Sequence, residues 1–402
     1  MNLGKYLFRL FMWNVVSKSY VAIGVKPKYH QFKTRESDPF PKPPFMLVSN
    51  HGTFQDPWIV GAMSPYPLGI MTNDDGFRGK GFIQWYLKSI GAYPKKKGAS
   101  DFKAMKTTME LLKDKYPVCI FPEGQTTWDG ETQLLNRGIE KIVKKMNIPL
   151  VIVHIKGNFL TKPWWAFTER KGSIAVDFKV VDSETVSKLS ADEIFDKIRT
   201  SIYQNDVKDT RNREVPFTGK MLAKGLERFV WICMDCGSED TLVTEGNTIS
   251  CTACRKQWTI DAHCQLTAQT TSTKSLADLK DWSDMHRSRI LEIVDSGKEF
   301  TTQTSAVSLS CENELLLFDP VYGDGILSMT RDELKYKSQS GECRVWPVNE
   351  IEDYVVQKKD IFEFRLKDKI WRVEFRGGSP MKWVMYFRYL NGFKAFEDQG
   401  HL

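Results

Sequence analysis

The sequence predicts an α/β domain with a central mixed sheet in its first half, then a small ribbon built on cysteine pairs, then a β-rich domain made of a barrel plus a C-terminal helix. Three observations carry this. From Phe45 to about Asp209, short apolar runs alternate with helix-period segments, the pattern of a sheet layered with helices. Two Cys-x-x-Cys pairs follow, separated by fourteen residues. Beyond about Thr301 the chain reads as short strand-like runs closed by one apolar helix-like segment, Pro380 to Leu390.

Composition bounds the answer. At 402 residues the chain exceeds one compact core of ordinary size. Hydrophobic content of 41% and charged content of 27% exclude a disordered chain and argue against a polytopic membrane protein. The net charge of +7 favours anionic headgroups, nucleotides or an acidic carrier without choosing among them. No Gly-x-x-x-x-Gly-Lys-[Ser/Thr] loop is present, which removes the main support for a nucleotide triphosphatase. The expected divisions are an amphipathic, membrane-associating helix at 1–25, the α/β domain at 26–220, the ribbon at 221–262, a helical connector at 263–300 and the β-rich domain at 301–402.

In the first segment Leu3, Leu7, Leu10, Phe11 and Val15 recur at helical spacing beside Phe8, Met12 and Trp13, interrupted by Lys5, Arg9 and Lys18. No run reaches the ~18 to 20 uncharged residues that a spanning helix needs, so an interfacial helix is expected. The alternative is a helix that packs on the domain body. A signal peptide fits poorly, because no small-residue cleavage site follows. The expected strands of the α/β domain are Phe45 to Ser49, Val118 to Phe121, Pro149 to Ile155 and Ile174 to Val181. Met105, Thr108, Met109 and Leu112 share a helix face, as do Ile139, Ile142, Val143 and Met146. Ser190 with Glu193 reads as a capping box before Ile194, Ile198 and Ile202.

Two polar loops follow strands and should meet at one sheet edge, where α/β folds build their sites. The first, Val48 to Pro57, holds His51 with Asp56 five residues on. A histidine needs a partner to fix its tautomer and stabilise its imidazolium, and Asp56 can serve if the chain turns back through Gly52. The second, Phe121-Pro122-Glu123-Gly124-Gln125-Thr126-Thr127, fixes a tight turn around a carboxylate. Between them lies the basic turn Gly91 to Lys97.

In this order the segments resemble the glycerolipid acyltransferase superfamily typified by 1-acyl-glycerol-3-phosphate acyltransferase, over roughly residues 1 to 210. Asn50-His51 through Asp56 matches its N-H-x-x-x-x-D block, Gly91 to Lys97 its second block, Phe121 to Gly124 its F-P-E-G block, and Ile148 to Val153 its fourth. The resemblance implies an O-acyltransferase that moves a fatty acyl group from acyl-CoA or acyl-carrier protein to a lysophospholipid or related glycerolipid hydroxyl. It implies work on the cytoplasmic face of a membrane as a peripheral or monotopic protein. His51 would be the general base and Asp56 its orienting partner. Lys95, Lys96, Lys97, Pro122, Glu123, Gly124, Gln125, Thr126 and Arg137 would contact substrate. Two departures touch the acceptor. The family's Glu-Gly-Thr-Arg-Ser reads Glu123-Gly124-Gln125-Thr126-Thr127 here, losing a cation, and Lys97 stands where arginine is usual. A catalytically lapsed relative that binds lipid or protein is the alternative reading.

Cys233-x-x-Cys236 and Cys251-x-x-Cys254 have zinc-ribbon spacing, and a closed Cys₄ shell implies structural Zn. Two disulfides are the alternative, and His263 and Cys264 read as bystanders. No nucleic-acid partner is expected, since the flanking sequence is too mixed for a basic aromatic patch. The last hundred residues weakly resemble a pleckstrin-homology-like fold.

Overall fold

A computed structural model describes residues 3–26, 29–36, 40–73, 77, 81–95, 102–269, 276–314 and 317–392. The chain forms two compact units, one of Met1–Pro163, Arg170–Thr218 and Ala395–Leu402, the other of Trp164–Glu169 and Gly219–Lys394.

The first unit is built on seven strands: β1 (Tyr29–Glu36), β2 (Met46–Ser49), β3 (Gly69–Asn73), β4 (Ala92–Lys95), β5 (Val118–Ile120), β6 (Leu150–Lys156) and β7 (Gly172–Val181). Their order is β1-β7-β6-β2-β5-β3-β4. The sheet is mixed, as expected, because β6 and β7 pair antiparallel while every other neighbouring pair is parallel. Its helices are α1 (Leu3–Phe11), α2 (Asp56–Met63), α3 (Phe82–Ser89), α4 (Phe102–Lys113), α5 (Ile139–Met146), α6 (Asn158–Thr161), α7 (Ser183–Lys188), α8 (Ala191–Ile202) and α9 (Thr210–Arg213). After α1 the helix runs on through π-helical turns at Met12–Ser17 and Tyr20–Val25.

Period-two alternation splits the central strands between two cores. Leu47, Cys119, Val151 and Val153 face a core that includes Trp13, Val21, Ile59 and Val60. Met46, Val48, Val118, Ile120, Leu150 and Ile152 face the other, covered by Leu112, Ile142, Val143, Ile194 and Ile198. The N-terminal helix therefore does pack on the body: Trp13 is fully buried, and its ring lies where a side chain on Gly61 would stand. Its other face leaves Leu7, Phe8, Phe11, Val15 and Ile23 exposed. The packing reading holds for the buried face of this helix, and the opposite face is apolar and exposed. The capping box at Ser190 and Glu193 forms as expected.

The second unit differs from the expected partition, since ribbon, connector and β-rich part belong to one compact body that also takes in Trp164–Glu169. The ribbon has β8 (Leu242–Glu245), β9 (Thr248–Cys251), β10 (Gln257–Ile260) and β11 (Leu266–Ala268), in the order β11-β10-β9-β8. Helix α10 (Leu279–Asp295) follows. Then come β12 (Thr302–Glu312), β13 (Phe318–Met329), β14 (Glu333–Ser338), β15 (Cys343–Pro347), β16 (Ile351–Gln357), β17 (Ile361–Leu366) and β18 (Lys369–Phe375), ordered β15-β14-β13-β12-β18-β17-β16. Helix α11 (Pro380–Leu390) packs against β16 and β17. Of the expected strand Glu314 to Phe318, residues 315 and 316 lie outside the described residues and Phe318 opens β13. Asn313 Oδ1 accepts from Leu317 N at 3.0 Å, a use of asparagine that competes with strand pairing.

Candidate active site

Parallel pairing brings the two loops together. Val48 lies opposite Ile120 in β2 and β5, so the loops leaving Ser49 and Ile120 emerge at the same sheet edge. On its other side β2 pairs with β6, which runs on to Lys156 and delivers Asn158. His51 thus sits where three strand ends meet.

His51 Nδ1 lies 2.9 Å from Asp56 Oδ2. Asp56 is fully buried, whereas the His51 side chain keeps 16% of its surface open. Three further donors hold the aspartate: Thr53 N at 2.9 Å, Thr53 Oγ1 at 2.8 Å and Asn158 Nδ2 at 2.8 Å. With these bonds fixing the carboxyl group, Asp56 Oδ2 is placed to accept from a proton on His51 Nδ1, the tautomer that leaves Nε2 unprotonated. The return of the chain through Gly52 is steric as well, because a Cβ there would meet Asn158 Nδ2 at 2.6 Å. The imidazole leans on Phe121, ring centres 4.5 Å apart.

Glu123 sits beneath this pair as a strut. One carboxylate oxygen accepts from His51 N at 2.6 Å, the other from Gln133 N at 2.7 Å. Burial pushes its carboxyl up to about 8, against the pull of those two N–H donors. A second buried acid, Asp206, accepts from Gly157 N at 2.7 Å, Phe159 N at 2.9 Å and Gln204 Nε2 at 2.8 Å, and pins the turn that presents Asn158. Burial raises it to about 6. Asn50 ties the loop to β6 by exchanging two hydrogen bonds with the Ile155 backbone, 2.7 and 2.8 Å.

The other residues singled out in the sequence are placed as follows. Gly124 turns at φ +75°, and Lys95 Nζ lies 3.5 Å from where a side chain on it would begin. Pro122 and Thr126 are buried and Gln125 is half-buried. Arg137 points at Glu140 (3.1 Å) and Asp192, with its guanidinium 4.2 Å from the Phe195 ring centre. Its charge is engaged there by two carboxylates and not by the turn at Glu123. Lys96 and Lys97 lie outside the described residues. Sequence reasoning passed over Asn158, Asp206 and Gln133. The first had a signal, a Gly-Asn pair that begins four residues beyond the fourth block.

Comparison with known proteins joins the argument here. Residues 31–156 match the family model described as Acyltransferase. That stretch carries His51, Asp56 and Glu123 and is acyltransferase-like in sequence. The chain is 25% identical over 202 residues to the chloroplastic 1-acyl-sn-glycerol-3-phosphate acyltransferase BAT2 of Brassica napus, covering 49% of this chain and 57% of that protein. It is 31% identical over 114 residues to the 1-acyl-sn-glycerol-3-phosphate acyltransferase of Bacillus subtilis, covering 28% and 56%. The chain thus spans only a little over half the length of these curated relatives. Among solved structures it is similar to the 1-acyl-sn-glycerophosphate acyltransferase PlsC of Thermotoga maritima, at 21% identity and a TM-score of 0.41, over 50% of this chain and 84% of that one.

The second unit holds the one candidate metal cluster among the described residues. Cys233, Cys236, Cys251 and Cys254 bring their sulfurs within 4.8 Å of one another, with 3.7 Å from Cys233 to Cys254 and 3.8 Å from Cys236 to Cys251. Four thiolates about 2.3 Å from a tetrahedral ion are about 3.8 Å apart, so the donor set fits such an ion. All four are free cysteines, which leaves the disulfide alternative without support.

Proposed function

We propose that this protein transfers an acyl group from acyl-CoA or acyl-carrier protein to the hydroxyl of a lysophospholipid or related glycerolipid. The observation that carries the reading is the His51–Asp56 pair at 2.9 Å, its aspartate buried and triply donated to, its imidazole open to a substrate. His51 Nε2 takes the acceptor's hydroxyl proton as the oxygen attacks the thioester carbonyl. Asp56 stabilises the imidazolium, and the proton passes to the departing thiolate. The two relatives, both described as 1-acyl-sn-glycerol-3-phosphate acyltransferases, support this acceptor class.

Zn²⁺ in the four-cysteine cluster has a structural role in this reading, because four thiolates close the coordination shell. The N-terminal helix lies on a membrane surface with its exposed apolar face inward. No helix among the described residues is long and apolar enough to cross a membrane. The strand order of the C-terminal sheet, with a helix packed on its last strands, supports the pleckstrin-homology-like reading.

The test is thiol release from acyl-CoA and acyl-carrier donors with lysophosphatidic acid, glycerol 3-phosphate and uncharged lysolipids, wild type against His51→Ala. Loss of the general base should lower turnover roughly 10²- to 10⁴-fold. Turnover by no pair of substrates, or equal turnover in the variant, overturns the proposal and favours a lipid-binding relative without catalysis.

A further inference from the structure

Helix α3 buries one side and leaves the other bare. Tyr86 and Leu87 pack on the core beside α2, while Phe82 is 74% exposed, Ile83 67% and Trp85 51%. Phe102, at the start of α4, is 80% exposed. Scattered surface apolar residues are ordinary, but adjacent large ones mark an interaction surface.

We propose that α3 is a second lipid-inserting element, seated in the interface of a bilayer with anionic headgroups. Two observations choose that occupant. The first is continuity with the N-terminal helix. Tyr20 packs on Trp58 with ring centres 5.9 Å apart, Trp58 Nε1 donates to Tyr86 Oη at 3.3 Å, and Tyr86 stacks on Phe82 at 6.4 Å. One aromatic run thus links the two exposed faces. The second is charge. Residues 3–26 carry Lys5, Arg9, Lys18 and Lys26 and α3 carries Lys88, with no acidic residue in either segment. Aromatic side chains mixed with a net positive charge suit an anionic lipid surface. The run also reaches the site, because Phe54, three residues after His51, packs edge-on against Trp58 at 6.4 Å. A lipid entering along α3 therefore arrives beside the proposed base. This inference rests on the membrane-surface reading of the N-terminal helix.

The experiment compares full-length wild type with the triple variant Phe82→Glu, Ile83→Glu, Trp85→Glu in flotation with phosphatidylglycerol vesicles. In parallel it measures thiol release with a water-soluble short-chain acceptor. The variant should partition at least about tenfold more weakly and keep its soluble turnover. Quenching by brominated lipid should also fall in Trp85→Phe, which guards against misfolding of the triple variant. Equal partitioning of the variant, or unchanged quenching in Trp85→Phe, overturns the role of α3. Absence of wild-type vesicle binding with His51-dependent soluble turnover removes the membrane reading and this inference with it, while the acyltransfer proposal stands. Self-association of the wild type that the variant abolishes, without vesicle binding, assigns the face to a second copy and also overturns the inference.

Discussion

Glu123 makes a prediction whose size follows from the structure. Burial raises its carboxyl to about 8 from an ordinary 4.5. The folded state therefore holds the proton more tightly than the unfolded state, and stability is lost as pH rises from the unfolded value through the folded one. The other buried carboxyl and imidazole groups with shifted values act below this window. Asp206, raised to about 6, works in the same direction and is complete near that pH. His154 and His286, lowered by burial to about 4 and about 3, work the opposite way and stop mattering above their ordinary 6.5. Between pH 6.5 and 8 Glu123 acts without them, and 1.5 units at ~1.4 kcal/mol each gives a loss of about 2 kcal/mol. The assay is urea unfolding of the full chain at both pH values, wild type against Glu123→Gln, reading the α/β transition. The amide cannot ionise and keeps an acceptor for only one of the two N–H groups, so the variant is less stable at pH 6.5. Its deficit should narrow by about 2 kcal/mol at pH 8. A deficit that stays constant refutes the reasoning, because Glu123 would then be ionised throughout, its two N–H donors outweighing burial.

Three further outcomes are expected. Gly52→Ala drives a Cβ into Asn158, 2.6 Å from its Nδ2, so Asn158 leaves Asp56 and turnover should fall roughly 10- to 100-fold, measured by thiol release. Lys382→Met strips the cation from a cluster in which the fully buried ammonium meets Asp240, Glu239 at 3.4 Å and the Gln303 carbonyl at 2.9 Å. The cost should be about 3 kcal/mol in the second unit's unfolding transition, the lower end because both carboxylates keep some access to water. Mixing enzyme with acyl-CoA alone should give no stoichiometric burst of free thiol, as direct transfer requires; a burst would demonstrate an acyl-enzyme.

The legible part of the sequence was the part governed by period and spacing. Strands β2, β5, β6 and β7 announced themselves as apolar runs, and His51, Asp56 and Glu123 as short fixed intervals. Strands β1, β3 and β4 were not drawn, because Tyr29–Glu36 is mostly polar and charged, with Tyr29 and Phe32 its only aromatic positions, and Gly69–Asn73 has only two apolar positions in five. Such strands are defined by their neighbours in the sheet and not by their own composition. The same limit applied at the site. Glu123 was expected to contact substrate, and the structure adds that its carboxyl holds the His51 loop through backbone N–H groups that no side-chain pattern reveals. Asn158 and Asp206 come from segments over a hundred residues beyond His51, and only the register of β2 against β6 brings them to it. In the second unit, spacing identified four cysteines but not the acidic pair Glu239 and Asp240, which engages β12 through Thr302 and Thr304 and α11 through Lys382.

The geometry also bears on how proton transfer and acceptor recognition divide between the two loops. The groups that hold His51 are dry, so its tautomer and ring position are set before substrate arrives, and such pre-organisation is what makes a weak base effective. Nearby hydroxyls are not spare nucleophiles: Thr53 Oγ1 donates to Asp56 and Thr127 Oγ1 donates to Asp129. The Cys119 thiol is buried among strand side chains, and burial raises its pKa far from the thiolate. In the proposed reaction an incoming hydroxyl is then the proton donor available to Nε2. Recognition of that molecule falls elsewhere. Thr126, at the position where the family resemblance implies a cation, is 8% exposed, too enclosed to present a charge. Lys95, at the end of β4 and beside Gly124, is the described cation nearest that turn. In the proposed reaction a phosphate on the acceptor that met Lys95 would find a lysine point charge, which lacks the bidentate fork by which an arginine fixes a phosphate's plane, and this favours tolerance among acceptor headgroups over strict selection for one.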